Sequence, residues 1–467
     1  MTRAQSLEIP APAQPPVTEP TGFLMRQLLA LALPVLAEQV LSMLVGINDT
    51  YLANHLPRHA ADAGAAVGTV TYFIWFFGLL VSSIGAGSTA IIARAKGARH
   101  KSLANKVTGQ SVSAAALTGV IVGLLMFIFA SPTAAATRLQ GLARPMALSY
   151  FQILSWSLPF YMLMFVANSC LRGGGDTVTP AASMIFVNLL NMLASFALTR
   201  GWWGLPVLGF KGIALGTAIA YVTGGVLQFV VLCIGTRGAK LYLHRLFPHW
   251  HTIKRLLRIG IPAAMEGIIA WFANFAVIAV INMMDSTNIS SAAHMNTIRL
   301  ESLSFMSGIA FATAAATMVG MSLGQKNPAR AQRCAYLAYA VGGGLMIFCG
   351  ILMITLGRYP ARWLSAGNPR IVDLTTRCLF ITGFIQSGFA ANLIFGGALR
   401  GAGDTLVVMI LNLSTQMTLR CMGVIVVGLW FHLGLPAVWM VLAGELFIRG
   451  CLTFARFLQG GWKQIQV

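Results

Sequence analysis

Read as apolar against polar positions, the chain lacks the two-residue alternation of a half-buried strand. It also lacks the narrow stripe of a surface helix. It shows long, almost continuously apolar blocks separated by short polar stretches. Twelve such blocks lie at about 26–50, 66–93, 106–130, 146–171, 179–200, 211–235, 256–284, 292–322, 332–356, 373–399, 406–430 and 436–457. Each reaches the roughly 20 residues that an α-helix needs to cross a bilayer. A membrane β-barrel would show short alternating segments instead. Pro and Gly inside several blocks are tolerated in membrane helices. The pattern predicts an all-α polytopic membrane protein with twelve transmembrane helices.

Composition agrees. The 467 residues are 57% hydrophobic and 9% charged, with a mean hydropathy of +0.75, whereas a soluble domain carries about 25% charged residues. Residues 1–22 are polar, contain Pro10, Pro12, Pro15, Pro16 and Pro20, and are expected to be a flexible cytoplasmic tail rather than a signal peptide. The net charge of +20 would suggest nucleic acid in a soluble protein. Here the basic residues sort by side. With the N-terminus inside, 21 lie in cytoplasmic segments and 8 outside, and Arg299, Arg377 and Arg420 remain within helices. That bias places both termini in the cytoplasm and removes the case for nucleic acid. The seven cysteines (170, 233, 334, 349, 378, 421, 451) sit in or at the ends of apolar blocks without a Cys-x-x-Cys pair. They read as packing residues.

The chain also repeats itself. LRGGGDT at Leu171 recurs as LRGAGDT at Leu399, and Pro34 and Glu38 recur as Pro262 and Glu266 at the same offset. Gly97 recurs as Gly324, one position short of that offset. Neither LRGxGDT copy has the Gly-Lys-Ser/Thr ending of a phosphate loop. The repeat divides the chain into an N-lobe (23–236, helices 1–6), a basic cytoplasmic linker (237–253), a C-lobe (254–460, helices 7–12) and a C-terminal tail (461–467). Six helices per half make the repeats parallel, an arrangement suited to alternating access. Each LRGxGDT then joins the fourth and fifth helices of its half. Arg172 and Arg400 would meet the negative end of a helix. Gly173 and Gly401 would take the left-handed position that ends it. Asp176 and Asp404 would cap the next helix. The alternative reading of these corners is a cytoplasmic gate.

These residues resemble a known family. LRGxGDT in each half, Asp49 in GINDTYLANHL, ESLSFMSG, and TMVGMSLGQKNPARA are similar to multidrug and toxic compound extrusion (MATE) transporters over about 23–460. The resemblance implies a twelve-helix exporter of organic, often cationic compounds, driven by Na⁺ or H⁺. It also places the chain in a superfamily that includes flippases for lipid-linked oligosaccharides. A flippase for a lipid-linked precursor is therefore the rival expectation, and Arg299, Arg377 and Arg420 keep it open. A membrane enzyme would need a nucleophile, metal or nucleotide motif, and the sequence shows none.

Five of the twelve acidic residues fall within helices: Glu38, Asp49, Glu266, Glu301 and Glu445. An ionisable group inside the bilayer is a functional candidate by default. Glu38 and Asp49 are about three helical turns apart and share a face of helix 1. Asn188, Asn191 and Ser195 form an i, i+3, i+7 stripe on helix 5. The family pattern puts this stripe and Asp49 in one N-lobe pocket. Glu38, on the same helix face, would offer a relay towards the cytoplasm. Ser195 stands where many members carry Asp. Phe389 stands where Na⁺-coupled relatives often carry Asp. Both departures lean towards H⁺. His294, Thr297 and Glu301 share a face of helix 8, where they could line a C-lobe cavity with Glu266 or form a packing network. Arg420 and Glu445 could form an intramembrane charge pair, with Arg449 as a competing partner for Glu445. The sequence thus predicts an antiporter of the plasma membrane (a bacterial inner membrane), acting as a monomer on small organic molecules with no cofactor beyond the coupling ion.

Overall fold

The structure is a computed structural model that describes residues 19–56, 59–136, 141–236, 239–285, 287, 289–365 and 368–465. The tail 1–18 with Arg3, and Arg58, Arg138 and Arg237 from the charge count, lie outside the described residues.

The described chain is built of helices, numbered here by span: α1 Thr21–Asn54, α2 Ala60–Gly97, α3 Lys101–Ile128, α4 Ala143–Gly173, α5 Val178–Arg200, α6 Phe210–Ile234, α7 Trp250–Met284 and α8 Ile289–Gly324. They continue with α9 Pro328–Leu356, α11 Thr405–Trp430 and α12 Leu435–Gln459. Between α9 and α11 stands α10, two arms (Pro369–Phe384 and Gln386–Ala402) bent by 57°. Eleven helices among the described residues are long and apolar enough to cross a membrane, and counting this bent pair as one span makes twelve.

Local chemistry sets several ends. Asn327 accepts from the Arg330 amide at 2.9 Å with Pro328 as the first helical residue of α9, so the cap and the proline begin the helix together. Gly201 and Gly460 take left-handed geometry where α5 and α12 stop. Pro34 and Pro262 both lie inside their helices, α1 and α7.

One core fills the first half, where α2, α3, α4 and α6 meet around Val107, Phe151, Leu154 and Ile213. A second fills the other half around Phe311, Phe395 and Phe457. The first turns of α1 cross over: Leu24, Leu28 and Leu31 pack in the second core. Both chain ends meet the start of α9. Arg330 bonds Glu19 at 2.9 Å, and Lys463 donates to Gln332 at 2.9 Å. The ends therefore share one side of the molecule, called the termini side below.

The two halves touch through glycine. A Cβ on Gly97 would lie 2.0 Å from the Met321 carbonyl oxygen, and one on Gly324 would lie 2.1 Å from that of Arg94. Arg94 and Met321 stand at the same offset in the chain as Gly97 and Gly324. The contact between α2 and α8 is thus reciprocal, the signature of a two-fold relation between halves. Only residues without a side chain let the backbones meet this closely.

The LRGxGDT corners depart from expectation. Gly173 and Gly401 are helical. The left-handed residues are Gly175 (φ +82°) and Gly403 (φ +91°). Gly173 and Gly401 permit close approach instead: a Cβ would lie 2.8 Å from the Thr89 Cα and 2.2 Å from the Ala316 carbonyl oxygen. Asp176 does cap α5, accepting from the Thr179 amide at 3.0 Å and its hydroxyl at 2.8 Å. Asp404 stands at the cap position of α11 but bonds Arg456 of α12 at 2.9 Å. A guanidinium within reach outcompetes a backbone amide for that carboxylate.

Candidate functional site

Asp49 lies in the half of α1 away from the termini side, buried between α4, α5 and α6. Its Oδ2 accepts from the Thr217 hydroxyl of α6 at 3.1 Å. The same Thr217 oxygen accepts from Asn191 Nδ2 of α5 at 3.0 Å. It also lies 3.2 Å from the Ile213 carbonyl, a second place for its one proton. Tyr150 of α4 and Asn48 face the carboxyl as well. The expected partnership of Asp49 with the α5 stripe is present, but it runs through Thr217 rather than directly. Asn188 is buried at the same wall. Ser195, one turn beyond Asn191, packs its oxygen against Gly216. Asp49 Oδ1, Asn188 Nδ2, Asn191 Oδ1 and Ser195 Oγ find no hydrogen-bond partner among the described residues. Buried polar atoms left open in this way are unusual and mark a place built to exchange partners or take a ligand.

Thr217 and Tyr150 were not foreseen. A single threonine or tyrosine in an apolar helix is ordinary packing material, so nothing in the sequence marked either.

Glu38 does not belong to this pocket. Both its carboxylate oxygens lie 3.0 Å from Arg172 Nη1, at the end of α4. Glu266 repeats the arrangement with Arg400, at 2.9 and 3.2 Å, and also accepts from Asn412. Among the described residues neither the relay expected of Glu38 nor the cavity expected of Glu266 with His294, Thr297 and Glu301 is joined by a direct bond: each carboxylate holds an arginine instead. A full positive charge in direct contact captures a buried carboxylate before any neutral group can. It also corrects Arg172 and Arg400: their charge goes to a side chain across the lobe rather than to the helix end.

In the second half, Arg420 donates from Nε and Nη2 to Glu445 Oε2 at 3.1 and 2.7 Å, and from Nη1 to Asn274 at 3.0 Å. Arg449 reaches the other oxygen of Glu445 at 3.2 Å. The expected pair and its competitor are thus both present, sharing one carboxylate. Glu445 follows Thr217 at the offset that separates the two LRGxGDT copies, and Arg420 follows Asn191 at one position more. The duplicated scaffold holds a protonatable cluster in one lobe and an ion-pair cluster at the matching place in the other. His294 lies against the Trp439 ring at 5.4 Å. Thr297 turns its hydroxyl back to the Ala293 carbonyl at 2.8 Å. Glu301 is half-buried on the same helix, with the charge of Arg420 nearby.

The fold and this site define a two-lobed membrane transporter with a polar cluster inside each lobe. The MatE family model matches residues 34–197 and again 262–425, two copies at the same offset as the LRGxGDT repeats. The chain is 30% identical over 448 residues to a probable multidrug resistance protein NorM of Thermotoga maritima, covering 94% of this chain and 93% of that one. It is 27% identical over 389 residues to the multidrug resistance protein MdtK of Yersinia pseudotuberculosis, covering 81% and 82%. Two solved structures share the fold at 18% identity, each covering 95% of this chain and 97% of the other. One is a transporter of the MOP superfamily from Pyrococcus furiosus described by a binding pocket of reverse polarity (TM-score 0.86), the other an outward-facing multidrug resistance MATE transporter of that superfamily (TM-score 0.83). The chain belongs to the MatE family of multidrug and toxic compound extrusion transporters. It is an integral membrane transporter, not an enzyme.

Proposed function

We propose that the chain is a multidrug efflux antiporter that exports organic, cationic or amphipathic compounds in exchange for H⁺ by alternating access. It would work in the plasma membrane with both termini in the cytoplasm, a reading supported by the bias of basic residues towards the termini side. The relatives named above support export of many compounds. The observation that carries proton coupling is the Asp49–Thr217–Asn191 cluster.

Thr217 has one proton and two acceptors in reach. Toward an ionised Asp49 it donates. A protonated Asp49 becomes a donor itself, and the Thr217 proton then turns to the Ile213 carbonyl. The bonds linking α1, α5 and α6 therefore differ between the two protonation states. A ligand, here the proton, shifts a conformation only through such a difference. Asp49 is the only carboxylate in the cluster, with Ser195 on the neighbouring helix in place of a second, and this favours a proton, which needs one basic oxygen, over a sodium ion, which needs a full shell of oxygen ligands. Of the three arginines that keep the flippase reading open, Arg420 is tied to Glu445 at 2.7 Å and Arg377 to Asp373 at 2.9 Å, which leaves Arg299 alone without an ion pair among the described residues.

Proteoliposomes with ΔpH and ΔNa⁺ imposed separately test the proposal. Efflux of a cationic dye should follow ΔpH. Efflux that follows ΔNa⁺ at fixed pH would overturn the choice of ion. Dye export that persists with neither gradient would overturn antiport.

A further inference from the structure

The connection between the lobes forms a site apart from the clusters inside them. Residues 239–249 run back along the first turns of α3 and are strapped to it. Buried Gln110 donates to the carbonyls of Arg245 and Phe247, both at 2.8 Å, and accepts from the His249 amide at 2.6 Å. Ser113 donates to the Leu246 carbonyl at 2.6 Å. Gly109 lets the strap lie this close, since a Cβ there would sit 2.6 Å from the Arg245 carbonyl oxygen. Strap and helix flank an open pocket of about 300 Å³, lined by Ser102, Lys106, Gln110, His244, Arg245 and His249, with Phe247 beside them.

The pocket is cationic, and its own segments supply no counter-charge. Between Asp62 and Glu266 the sequence contains one acidic residue, Asp176, and Asp176 caps α5. Arg245 is held in place by the Ser102 carbonyl at 2.6 Å and its hydroxyl at 3.2 Å, which orients the guanidinium without neutralising it. The apolar side chains around the pocket are largely exposed: Leu243 at 62%, Phe247 at 80% and Trp250 at 72%. Exposed aromatic residues interleaved with cations are the mark of a segment lying at the membrane–water interface. The depth agrees. At about 1.5 Å per residue, the 35 residues of α7 span about 52 Å, well beyond the roughly 30 Å hydrocarbon core. That excess length leaves room for the start of α7 and the strap before it to stand at headgroup level.

We propose that this pocket binds the phosphate of an anionic membrane lipid, in the leaflet on the termini side. Lys106 and Arg245 take the phosphate charge, Ser102 and the two histidines supply hydrogen bonds, and Phe247 and Trp250 rest on the acyl boundary. The bound lipid fastens the linker, and through it the ends of both lobes, to the bilayer. Inorganic phosphate offers the same charge without the acyl chains, so the experiment separates the two sources.

The full-length protein in detergent is titrated with phosphatidylglycerol or phosphatidylcholine and read by native mass spectrometry. Phosphatidylglycerol should be retained in preference. Lys106→Gln should weaken its retention by about fivefold, the worth of one cation near an anionic surface. Lys106→Arg should keep it, as should Lys211→Gln, which removes the same charge at the opposite side. Arg245→Gln should weaken it likewise. Because Arg245 also holds the strap, Lys106→Gln with unchanged melting is the deciding variant. Equal retention of the two lipids, or of phosphatidylglycerol by wild type and Lys106→Gln, would overturn the site. Displacement of bound lipid by inorganic phosphate without preference between lipids would overturn the lipid as its ligand.

Discussion

Thr217 is the smallest group in the N-lobe cluster and the one that connects it. Replacing it with valine keeps the shape, removes the bond to Asp49 and leaves Asn191 Nδ2 without its partner. A hydrogen bond to a charged group is worth about 1.5–3 kcal/mol. We therefore expect Thr217→Val to slow ΔpH-driven efflux by roughly tenfold or more, and Asp49→Asn to abolish it while both proteins remain folded. Proton flux measured beside dye flux in the same vesicles checks this. Unchanged coupling in Asp49→Asn would reduce the aspartate to a brace between helices. A second test concerns the corners. Both copies of LRGxGDT carry glycine at two positions, and each position has its own reason. Gly403→Ala should cost about 1 kcal/mol for left-handed geometry, whereas Gly401→Ala should cost about 1–3 kcal/mol, because the added carbon meets the Ala316 backbone. Thermal melts of the two variants give the order. The motif showed that a tight turn was present but not which glycine made it. A glycine kept for close approach and one kept for positive φ look identical in a sequence.

At the scale of the helix, the duplicated ion pairs join α1 to α4 and α7 to α10. Glu38–Arg172 and Glu266–Arg400 are each separated by 134 residues. Stranding one partner of a fully buried pair costs about 3–5 kcal/mol. Arg400 and Glu266 are 26% and 20% exposed, so Arg400→Gln should lose about 1–3 kcal/mol. The double variant Glu266→Gln/Arg400→Gln should recover much of that loss, because no lone charge remains. A double variant as unstable as the single one would show that the arginine contributes packing rather than charge balance. Glu445→Gln should be the more damaging change, about 3 kcal/mol or more, since it leaves both Arg420 and Arg449 without their shared partner. The helices themselves were legible because bilayer-spanning runs are long and apolar. The pairs were not, because the sequence shows which residues are charged but not which helix faces meet. Glu38 shares a face with Asp49, and helical periodicity alone made them look like one site. The equal spacing of the two Glu–Arg pairs was the available clue.

For the whole molecule, the seam between α2 and α8 is what must part if the lobes rock. Gly97→Val should hold the termini-side ends apart and shift the population toward the form open on that side. Spin labels at Ala98 and Gln325 should then report a longer mean distance than in the wild-type protein. An unchanged distance with normal melting would remove the seam from the mechanism. Sidedness has its own check: a cysteine at Thr236, in a cysteine-free background, should resist labelling from outside intact cells. The Gly97 and Gly324 contacts are copies of one another under the axis that relates the lobes. Neither can loosen alone while the lobes move as rigid bodies. A door with two identical latches on one hinge line has no half-latched position, and rigid lobes joined at this seam would part there all at once. If the chain exchanges protons for its substrate as proposed above, that matters more than the strength of either contact: a pathway left ajar at one end while the other opens would let protons run through without carrying anything out, and a seam that parts all at once would work against that short circuit.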